Sequence, residues 1–482
     1  MRYAYLKIGL FLLLLAAPVG SLLLFGAVES FGRDQPDYPK FEELLRGKGR
    51  AQFGDALFER SAAMKLAVKL QNFVTFRIIG FVDTRLVLSG KGEWLFYRPD
   101  FLDGACMDLD KAAVQFRQLA LLMDLARASG LDMRLSLSPN KSTVYPDELS
   151  PLARGIWRCY AQSVSGFRRL LDRELPGTID HAEPLLAERA RNPGTLLFYS
   201  RDTHWTPYGG AIALRQLLQA IYPGLDVPPP QSSGRTITKP MDLTSPLLWP
   251  VEDQADDVAP LPQEVRDELN RRSAHIRTFI AHDSFYDQIA SQVREAFPNA
   301  TIIRGGRDRD WVNAEIAAAD RLIVNLVERD LVRAIRESRL SWDATIPWAI
   351  IARNRRAAEG CTSFQEVGAS TDPAGQAGPE PGREFAVRRV AKPLLPCLRI
   401  SLAADAAGAL EVALPNPASG AFEPGRAIKL VLPAGSQVIA LVLPDSAAGS
   451  EIRVIPLDGA AAITAIAVGE IEPPHPADFL RP

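Results

Sequence analysis

The stretch "AHIRTFIAHDSFYDQIASQVREAFPNATIIRG", residues 274–305, decides the fold class of the chain. It opens with "AHIRTFIA", which is typical of a buried strand, and continues with "FYDQIASQVREAF", which has the apolar spacing of a helix. "ATIIRG" follows as a second strand. A strand, a helix and another strand in this order connect parallel strands of one sheet. The stretch therefore predicts an α/β fold and puts Ser284 just after a strand.

The alternation of strands and helices continues on both sides of this stretch. Further strands are predicted for "LDMRLSLS" (131–138), "GTLLFYS" (194–200) and "DRLIVNLV" (320–327), and further helices for "KAAVQFRQLALLMDLARASG" (111–130), "AQSVSGFRRLLDREL" (161–175) and "GGAIALRQLLQAIYPG" (209–224). "RLVLSGKGEWLFY" (85–97) predicts a hairpin, whereas residues 225–262, rich in proline and polar side chains, are predicted to be irregular. The pattern predicts an α/β domain over residues 81–340, a mostly parallel sheet flanked by helices.

The N-terminus carries a long uncharged segment. Arg2 and Lys7 precede it, and residues 8–28 contain no charged side chain. This length matches the roughly 20 apolar residues that span a bilayer, and Phe25 stands where a signal-peptide cleavage site would need a small residue. We therefore predict a cytoplasmic tip (1–7) and an uncleaved transmembrane anchor (8–28) rather than a removed signal peptide. Because the positive charges precede the anchor, the rest of the chain is predicted to face the extracytoplasmic side.

The segments outside the α/β domain differ in character. Residues 29–80 are predicted to be a helical connector, and residues 341–384, which contain "TDPAGQAGPEPGRE", a linker. Residues 385–482 hold short β-like runs such as "CLRISLA" and "SQVIALVLP", separated by glycine, proline, asparagine and aspartate. Such runs predict a small antiparallel domain like a β-sandwich.

Charge and cysteine content limit the range of functions. The net charge is −2 and no block of basic residues occurs, so nothing indicates a nucleic-acid partner. The four cysteines fit an oxidising compartment. Cys106 and Cys159 lie in one region and Cys361 and Cys397 in another, which favours one disulfide within each pair. Four cysteines permit three pairings, however, and the sequence alone does not choose among them.

Three polar residues at predicted strand ends have the chemistry of an activated serine. "SRDTHWTPYGG" puts Asp202 and His204 after "GTLLFYS", and "AHDSF" puts Ser284 after "AHIRTFIA". Ligands of open α/β sheets bind at the carboxyl ends of strands. A serine hydroxyl needs a histidine to accept its proton, and that histidine needs a carboxylate to orient it. The sequence therefore predicts a catalytic triad of Asp202, His204 and Ser284.

Each of the two loops also fits a purely structural role. "SFYD" matches a capping box, with Ser284 as the N-cap and Asp287 three residues later. "WTPYGG" fits Thr206 as an N-cap followed by Pro207 at the first helical position. A serine at a helix N-terminus can both cap the helix and act as a nucleophile, so the two roles are compatible.

His282 offers a second imidazole close to the serine. It could act as a competing base, bind a metal together with Asp202, or lie at the surface, and these alternatives stay open. The chain contains no HExxH motif or comparable ligand spacing. The sequence therefore predicts no metal site.

Five blocks of the sequence resemble one known family. "GKGEWLFY", "SPNKSTVYPDEL", "DTHWTPYGG", "AHDSF" and "ADRLIVNLVERDL" are similar, in order and spacing, to the SGNH-hydrolase-like domain of the periplasmic alginate O-acetyltransferases AlgJ and AlgX. The resemblance covers about residues 85–340 and implies an SGNH-hydrolase-like fold. In that family the Asp-x-His pair precedes the nucleophilic serine, so the family's triad falls on Asp202, His204 and Ser284. The family commonly has a glycine two residues before the serine, where this chain has His282.

The resemblance also implies a function and partners. It implies an O-acetyltransferase that acts on hydroxyl groups of an exopolysaccharide or cell-surface glycan through an acyl-serine. It further implies that a membrane-bound O-acyltransferase relays the acetyl donor, that other polysaccharide-secretion proteins are partners, and that no cofactor is bound. The location implied is the inner membrane, with a single span and the bulk of the chain in the periplasm.

Three further residues are candidates for substrate contacts. Asn140 and Lys141 in "SPNKSTVYP" follow a predicted strand. They could contact the glycan or the oxyanion, and the alternative is that they belong to a solvated loop. Arg304 follows another strand in the same way. The C-terminal β region invites comparison with the carbohydrate-binding module of AlgX, although its runs contain almost no aromatic residues to stack on sugars. Two other functions remain open: a carbohydrate acetylesterase of the same fold and a catalytically inactive glycan-binding or assembly scaffold.

Overall fold

The structure is a computed structural model of the chain. It describes residues 2–25, 61–79, 82–104, 106–244, 251–304, 309–336, 345–366, 383–386, 395–404, 408–432, 434–448, 450–457 and 461–471. Much of the predicted connector (29–80) and of the predicted linker (341–384) lies outside these ranges. Residues 26–28 of the predicted anchor and residues 472–482 of the predicted β domain lie outside them as well.

Helices and strands alternate along the α/β part of the chain. Within the described ranges and in chain order, the helices are α1 (Arg2–Phe25), α2 (Ala62–Phe73), α3 (Leu109–Ala128), α4 (Lys141–Val144), α5 (Pro151–Glu174), α6 (Ala182–Arg191), α7 (Pro207–Ile221), α8 (Gln263–Ser273), α9 (Ser284–Asp287), α10 (Ala290–Ala296), α11 (Arg309–Ala318), α12 (Glu328–Arg336) and α13 (Thr345–Ala357). The strands are β1 (Val87–Ser89), β2 (Leu95–Tyr97), β3 (Asp132–Ser138), β4 (Ile179–Asp180), β5 (Ser232–Pro240), β6 (Glu252–Val258), β7 (Thr278–His282), β8 (Ala300–Arg304), β9 (Arg321–Val327), β10 (Thr362–Glu366), β11 (Arg383–Ala386), β12 (Leu395–Ala404), β13 (Gly408–Ala413), β14 (Ala427–Leu432), β15 (Gly435–Val442), β16 (Glu451–Pro456) and β17 (Ala461–Ile471).

A five-stranded sheet with the order β4-β3-β9-β7-β8 forms the centre of the α/β domain. Its neighbouring strands all pair in parallel. The prediction of an α/β fold with a parallel sheet is therefore confirmed. Because the strands are parallel, the residues that follow β3, β7 and β9 lie at one edge of the sheet, where ligands of such folds bind.

The central strand β9 is buried on both faces. Leu322 and Val324 pack in one apolar cluster with Phe116 of α3, whereas Ile323 packs in a second cluster with Leu217 of α7. Successive side chains of a strand point to opposite faces, so this distribution means that helices cover both sides of the sheet. The sheet is thus a rigid base for the loops at its carboxyl edge.

The stretch 194–200, predicted to be a strand, is not a strand of the sheet. Phe198 forms an isolated bridge with Trp205, and the backbone N–H of Thr206 donates to Leu197 O at 2.9 Å. The backbone groups of this stretch therefore pair with the loop that follows them. The strand prediction is wrong for this physical reason.

Residues 225–262, predicted to be irregular, contain an antiparallel hairpin formed by β5 and β6. Most of its residues are exposed or half-buried. The strands read "SSGRTITKP" and "EDQADDV", which contain few apolar residues. The alternation that would predict a strand is therefore absent from the sequence.

The C-terminal strands form two antiparallel sheets, with the orders β10-β17-β12-β15 and β11-β16-β13-β14. Buried residues of both sheets, such as Ile400 and Val412, share one apolar cluster with α3. Asn354 of α13 connects the α/β part with the C-terminal sheets. Its Nδ2 donates to Leu125 O of α3 at 3.1 Å and to Val442 O of β15 at 3.0 Å. Helix α13 and strand β10 lie within the predicted linker, and the domain boundaries stay a prediction.

Helix α1 covers most of the predicted anchor at 8–28. Its Ser21 Oγ lies 2.9 Å from Ser61 Oγ, the N-cap of α2. Within the described residues, no helix is long and apolar enough to cross a membrane. The transmembrane part of the predicted architecture is therefore not confirmed.

Both favoured disulfides are present in the structure. Cys106 pairs with Cys159 of α5, and Cys361 pairs with Cys397 of β12. The first bond ties the segment before α3 to α5, and the second ties the segment before β10 to the first C-terminal sheet. Each disulfide therefore connects elements within one region of the fold.

Candidate active site

Ser284 is the first residue of α9 and lies just beyond the end of β7. Asp283 is the N-cap of this helix, because its Oδ1 accepts the backbone N–H of Phe285 at 2.8 Å. The prediction of a capping box with Ser284 as the N-cap is therefore wrong. Since Asp283 caps the helix, the hydroxyl of Ser284 is left for another partner.

That partner is His204. Its Nε2 lies 2.7 Å from Ser284 Oγ, and its Nδ1 lies 2.6 Å from Asp202 Oδ1. The backbone N–H of His204 donates to the same carboxylate oxygen at 2.9 Å. With the proton of the neutral ring on Nδ1, facing the carboxylate, Nε2 is free to accept the proton of the serine. The structure thus brings together the three residues of the predicted triad.

The two loops of the triad are locked to each other by aromatic contacts. The indole Nε1 of Trp205 donates to Phe285 O at 2.9 Å, and the Phe285 ring lies 5.1 Å from the His204 ring. Thr206 caps α7 through Gly209 N, as the sequence predicts. These contacts fix the distance between the base and the hydroxyl.

The carboxylate of Asp202 is kept ionised by its surroundings. Burial alone would raise its pKa, but the hydrogen bond from His204 and the positive charge of Lys239 outweigh burial and hold the pKa well below its ordinary value. Lys239 Nζ lies 3.2 Å from Asp202 Oδ2. An ionised carboxylate beside the imidazole can stabilise the imidazolium that forms when the serine reacts.

The sequence pattern does not reveal two residues that contact the triad. Lys239 and Asp242 lie at the end of β5 and just after it, in the stretch predicted to be irregular. Asp242 Oδ2 lies 3.5 Å from His204 Nδ1. No motif marks these residues, because their position depends on where the hairpin packs.

Lys141 points into the protein rather than toward solvent. Its ammonium donates to three main-chain carbonyls, those of Tyr199 (3.2 Å), Ser200 (3.0 Å) and Asp202 (2.6 Å), and the residue is 1% exposed. Burial lowers the pKa of Lys141 to about 8. The prediction of a glycan or oxyanion contact at Lys141 is wrong, because all three of its donors are used inside the protein.

Asn140 is fully buried at the end of β3. Its backbone N–H donates to Glu328 Oε2 at 3.0 Å, and its Oδ1 accepts the backbone N–H of Arg329 at 3.3 Å. Among the described residues, its side-chain Nδ2 has no hydrogen-bond partner. A buried amide group without a partner is uncommon in folded proteins and is a candidate donor to a group that arrives with the substrate.

His282 and Arg304 are paired residues at the carboxyl ends of β7 and β8. The side chain of Arg304 is 62% exposed and pairs with Asp287 of α9 at 2.8 Å. His282 is only 8% exposed, and its Nδ1 lies 2.6 Å from Asp283 O, which contradicts the surface alternative. Burial lowers the pKa of His282. Arg304 keeps its place as a candidate substrate contact at the rim of the site.

The described residues include one group with metal-like ligand spacing, although the sequence predicts no metal site. The ligand atoms of Asp202, His204 and Asp242 lie within 4.8 Å of one another. The positive charge of Lys239 already lies against Asp202, and Thr203 N donates to Asp242 Oδ1 at 2.8 Å. These contacts suit a hydrogen-bonded imidazole better than a bound cation.

The fold and the site define an α/β protein in which an aspartate, a histidine and a serine are hydrogen-bonded in series at the carboxyl edge of a parallel sheet. Residues 87–279 match the family model described as "SGNH hydrolase-like domain, acetyltransferase AlgX". The matched range contains Asp202 and His204 and ends before Ser284. Over residues 87–279 the chain is therefore similar to the SGNH hydrolase-like domain of AlgX, in agreement with the resemblance of the five sequence blocks.

Two curated relatives and one solved structure illustrate the similarity. The chain is 26% identical over 183 residues to the probable alginate O-acetylase AlgJ of Azotobacter vinelandii, covering 37% of this chain and 45% of the relative. It is 22% identical over 213 residues to the probable alginate O-acetylase AlgJ of Pseudomonas fluorescens, covering 43% and 51%. The structure of AlgX from Pseudomonas aeruginosa aligns with a TM-score of 0.41 at 14% identity, over 80% of this chain and 94% of that one. The chain spans about half the length of the curated relatives it matches.

Proposed function

We propose that the chain is a serine O-acetyltransferase that adds acetyl groups to hydroxyls of an exopolysaccharide or cell-surface glycan. The observation that carries this proposal is the continuous series of hydrogen bonds from Asp202 through His204 to Ser284. Such a series activates a serine hydroxyl that is otherwise a weak nucleophile at neutral pH.

In the first half of the reaction, Ser284 Oγ attacks the carbonyl carbon of the acetyl donor. The hydroxyl proton passes to His204 Nε2, and Asp202 stabilises the imidazolium. The bond between the acetyl carbon and the leaving group then breaks, and the imidazolium returns the proton to the leaving group. The product of this half is an acetyl ester on Ser284.

In the second half, a sugar hydroxyl attacks the acetyl-serine. His204 takes the proton of the sugar hydroxyl, the ester bond to Oγ breaks, and the proton returns to Ser284. The same residues serve both halves, so no bound cofactor is required. An esterase differs only in that water replaces the sugar hydroxyl.

The negative oxygen of the tetrahedral intermediates needs hydrogen-bond donors. Asn140 Nδ2 lies buried at the carboxyl edge of the sheet, two strands away from β7, and has no hydrogen-bond partner in the part of the chain that the structure describes. We assign the donor role to this amide. Removal of one such donor typically lowers kcat by about 10²–10³.

The glycan substrate is supported by the names of the relatives, which are described as probable alginate O-acetylases. We take the acceptor to be a hydroxylated polysaccharide and the acetyl donor to be relayed by a membrane-bound O-acyltransferase. An extracytoplasmic location is supported by the two disulfides, which persist in oxidising compartments. Attachment to the inner membrane through residues 8–28 is part of the same proposal and rests on the uncharged sequence.

The decisive experiment separates transfer from hydrolysis. The full-length protein is incubated with an activated acetyl ester and candidate oligosaccharides, and the products are weighed by mass spectrometry. We expect the mass of one acetyl group on a glycan with the wild type and with the control Ser291→Ala, and none with Ser284→Ala. Ser291 is a matched control because it lies on the next helix and its hydroxyl donates to Gln292 Oε1 rather than to a triad residue.

Other outcomes identify the alternatives. Removal of acetyl groups from acetylated oligosaccharides without transfer to any acceptor would make the protein an esterase. A wild type that neither cleaves the ester nor forms an acetyl-serine would leave the scaffold function.

A further inference from the structure

The hairpin of β5 and β6 brings a second carboxylate to the catalytic histidine. Asp242 Oδ2 lies 3.5 Å from His204 Nδ1. Thr203 connects the two, since its Oγ1 lies 3.2 Å from His204 Nδ1 and donates to Asp242 Oδ2 at 2.5 Å. The backbone N–H of Thr203 donates to the other oxygen of Asp242 at 2.8 Å. Asp242 therefore holds Thr203, the residue that lies between Asp202 and His204 in the sequence.

The same hairpin is attached to the triad by two further contacts. The backbone N–H of Asp242 donates to Asp202 Oδ2 at 3.2 Å, and Lys239 Nζ lies 3.2 Å from that oxygen. Lys239 also donates to Gln288 Oε1 at 2.8 Å, just after α9. The hairpin thus connects the loop of the base with the helix of the nucleophile.

We propose that Asp242 is a positioning residue for acetyl transfer, a second carboxylate that holds the Asp202–His204 loop and stabilises the His204 imidazolium together with Asp202. This inference rests on the proposed function only for its catalytic consequence. The geometry on which it stands is independent of the substrate.

The charge around the imidazole comes from several elements. Asp202 and Asp242 are the carboxylates at Nδ1, and Asp283, the N-cap of α9, also interacts electrostatically with His204. Lys239 from the hairpin and Lys141 from α4 supply positive charge next to the two carboxylates. Burial and the charge of Asp202 raise the pKa of Asp242 above its ordinary value. Its side chain is 38% exposed, so solvent screens its charge.

The kinetic test compares Asp242→Asn with Asp257→Asn in the full-length protein. Asp257 is a matched control on the same hairpin that pairs with Arg235. We expect Asp242→Asn to lower kcat/KM for acetyl-ester cleavage about 10-fold, the effect of one charge at this distance in a near-aqueous dielectric. We expect the acid limb of its pH profile to move to lower pH, because the imidazolium loses a neighbouring negative charge.

A merely structural role for Asp242 gives a different result. It would lower the activity equally at every pH, together with the melting temperature, and it would leave the acid limb in place. Asp242→Glu, which keeps the charge, is expected to retain the wild-type acid limb. An Asp242→Asn variant with the activity and the pH profile of Asp257→Asn would overturn the proposal.

A second readout does not depend on activity. In protein labelled with ¹⁵N-histidine, the ring resonances of His204 are assigned by their loss in His204→Gln. We expect the chemical shifts of these resonances to change in Asp242→Asn and to stay in place in Asp257→Asn. If the wild type fails to cleave acetyl esters but this shift is present, the proposed function fails and the positioning role stands. If the resonances of His204 do not respond to Asp242→Asn, the positioning role fails.

Discussion

Lys141 Nζ donates a hydrogen bond of 2.6 Å to the main-chain carbonyl of Asp202, which lies 61 positions later in the sequence. The ammonium also holds the carbonyls of Tyr199 and Ser200. A buried cation surrounded by backbone oxygens fixes the path of the loop that presents the triad carboxylate. The geometry of the Asp202–His204 loop therefore depends on a lysine that donates to three main-chain carbonyls of the preceding segment and of the loop itself.

Replacement of this lysine should damage the loop without touching the triad. In Lys141→Met the three carbonyls lose their donor, and leaving one buried polar group unpaired costs about 1–3 kcal/mol. We expect the free energy of unfolding to fall by about 2 kcal/mol and kcat to fall with it, because Asp202 is no longer held in place. Denaturant unfolding and ester cleavage measure the two effects. The exposed Lys111→Met is the control, and equal behaviour of the two variants would contradict the role of Lys141.

The same lysine predicts a pH dependence of stability. Burial lowers the pKa of Lys141 from 10.5 to about 8 in the folded protein. Between these values the unfolded chain binds more protons at this position than the folded one, so stability rises as pH rises from about 8 to 10.5. We expect the gap in unfolding free energy between the wild type and Lys141→Met to widen over this range. A gap that stays constant or narrows would show that burial does not lower the pKa of Lys141.

The unpartnered amide of Asn140 predicts a loss of rate without a loss of binding. If Nδ2 donates to the oxyanion, Asn140→Ala should lower kcat by about 10²–10³ with little change in KM. Thr143→Val is the matched control, because Thr143 Oγ1 donates to the same Glu328 oxygen as the backbone of Asn140. Steady-state kinetics on an activated acetyl ester decide the point. Equal losses in both variants would assign Asn140 to the structural network around Glu328.

The proposed location predicts both topology and oxidation state. Alkaline phosphatase fused after residue 40 should be active, since that enzyme folds only outside the cytoplasm, and the protein should stay with the membrane after a high-salt wash. Mass mapping without reduction should find Cys106 bonded to Cys159 and Cys361 bonded to Cys397. Release into the soluble periplasmic fraction would indicate a cleaved signal peptide instead of an anchor. Four free thiols would contradict an oxidising compartment.

The elements that carry a strong apolar period were predictable from the sequence. β3, β7, β8 and β9 and the helices between them follow the expected alternation, because burial between two layers of helices demands apolar runs. β5 and β6 were not predictable, since a mostly exposed hairpin needs no apolar alternation. "GTLLFYS" looks like a strand because its side chains are buried, but its backbone pairs with the following loop. The apolar content of a segment indicates that its side chains are buried, but it does not indicate which backbone groups the segment pairs with.

The sequence by itself determined the residue types of the site. Asp202, His204 and Ser284 could be named because the chemistry of an activated serine requires one of each, and two of them lie two positions apart. Tertiary structure alone decided which neighbours they have. Asp242 reaches His204 through the packing of a hairpin, and Lys141 turns inward because the loop at Asp202 offers it three carbonyls. Local sequence sets the propensity of each segment, but contacts between residues 40 or 61 positions apart depend on the path of the whole chain, which no local pattern encodes.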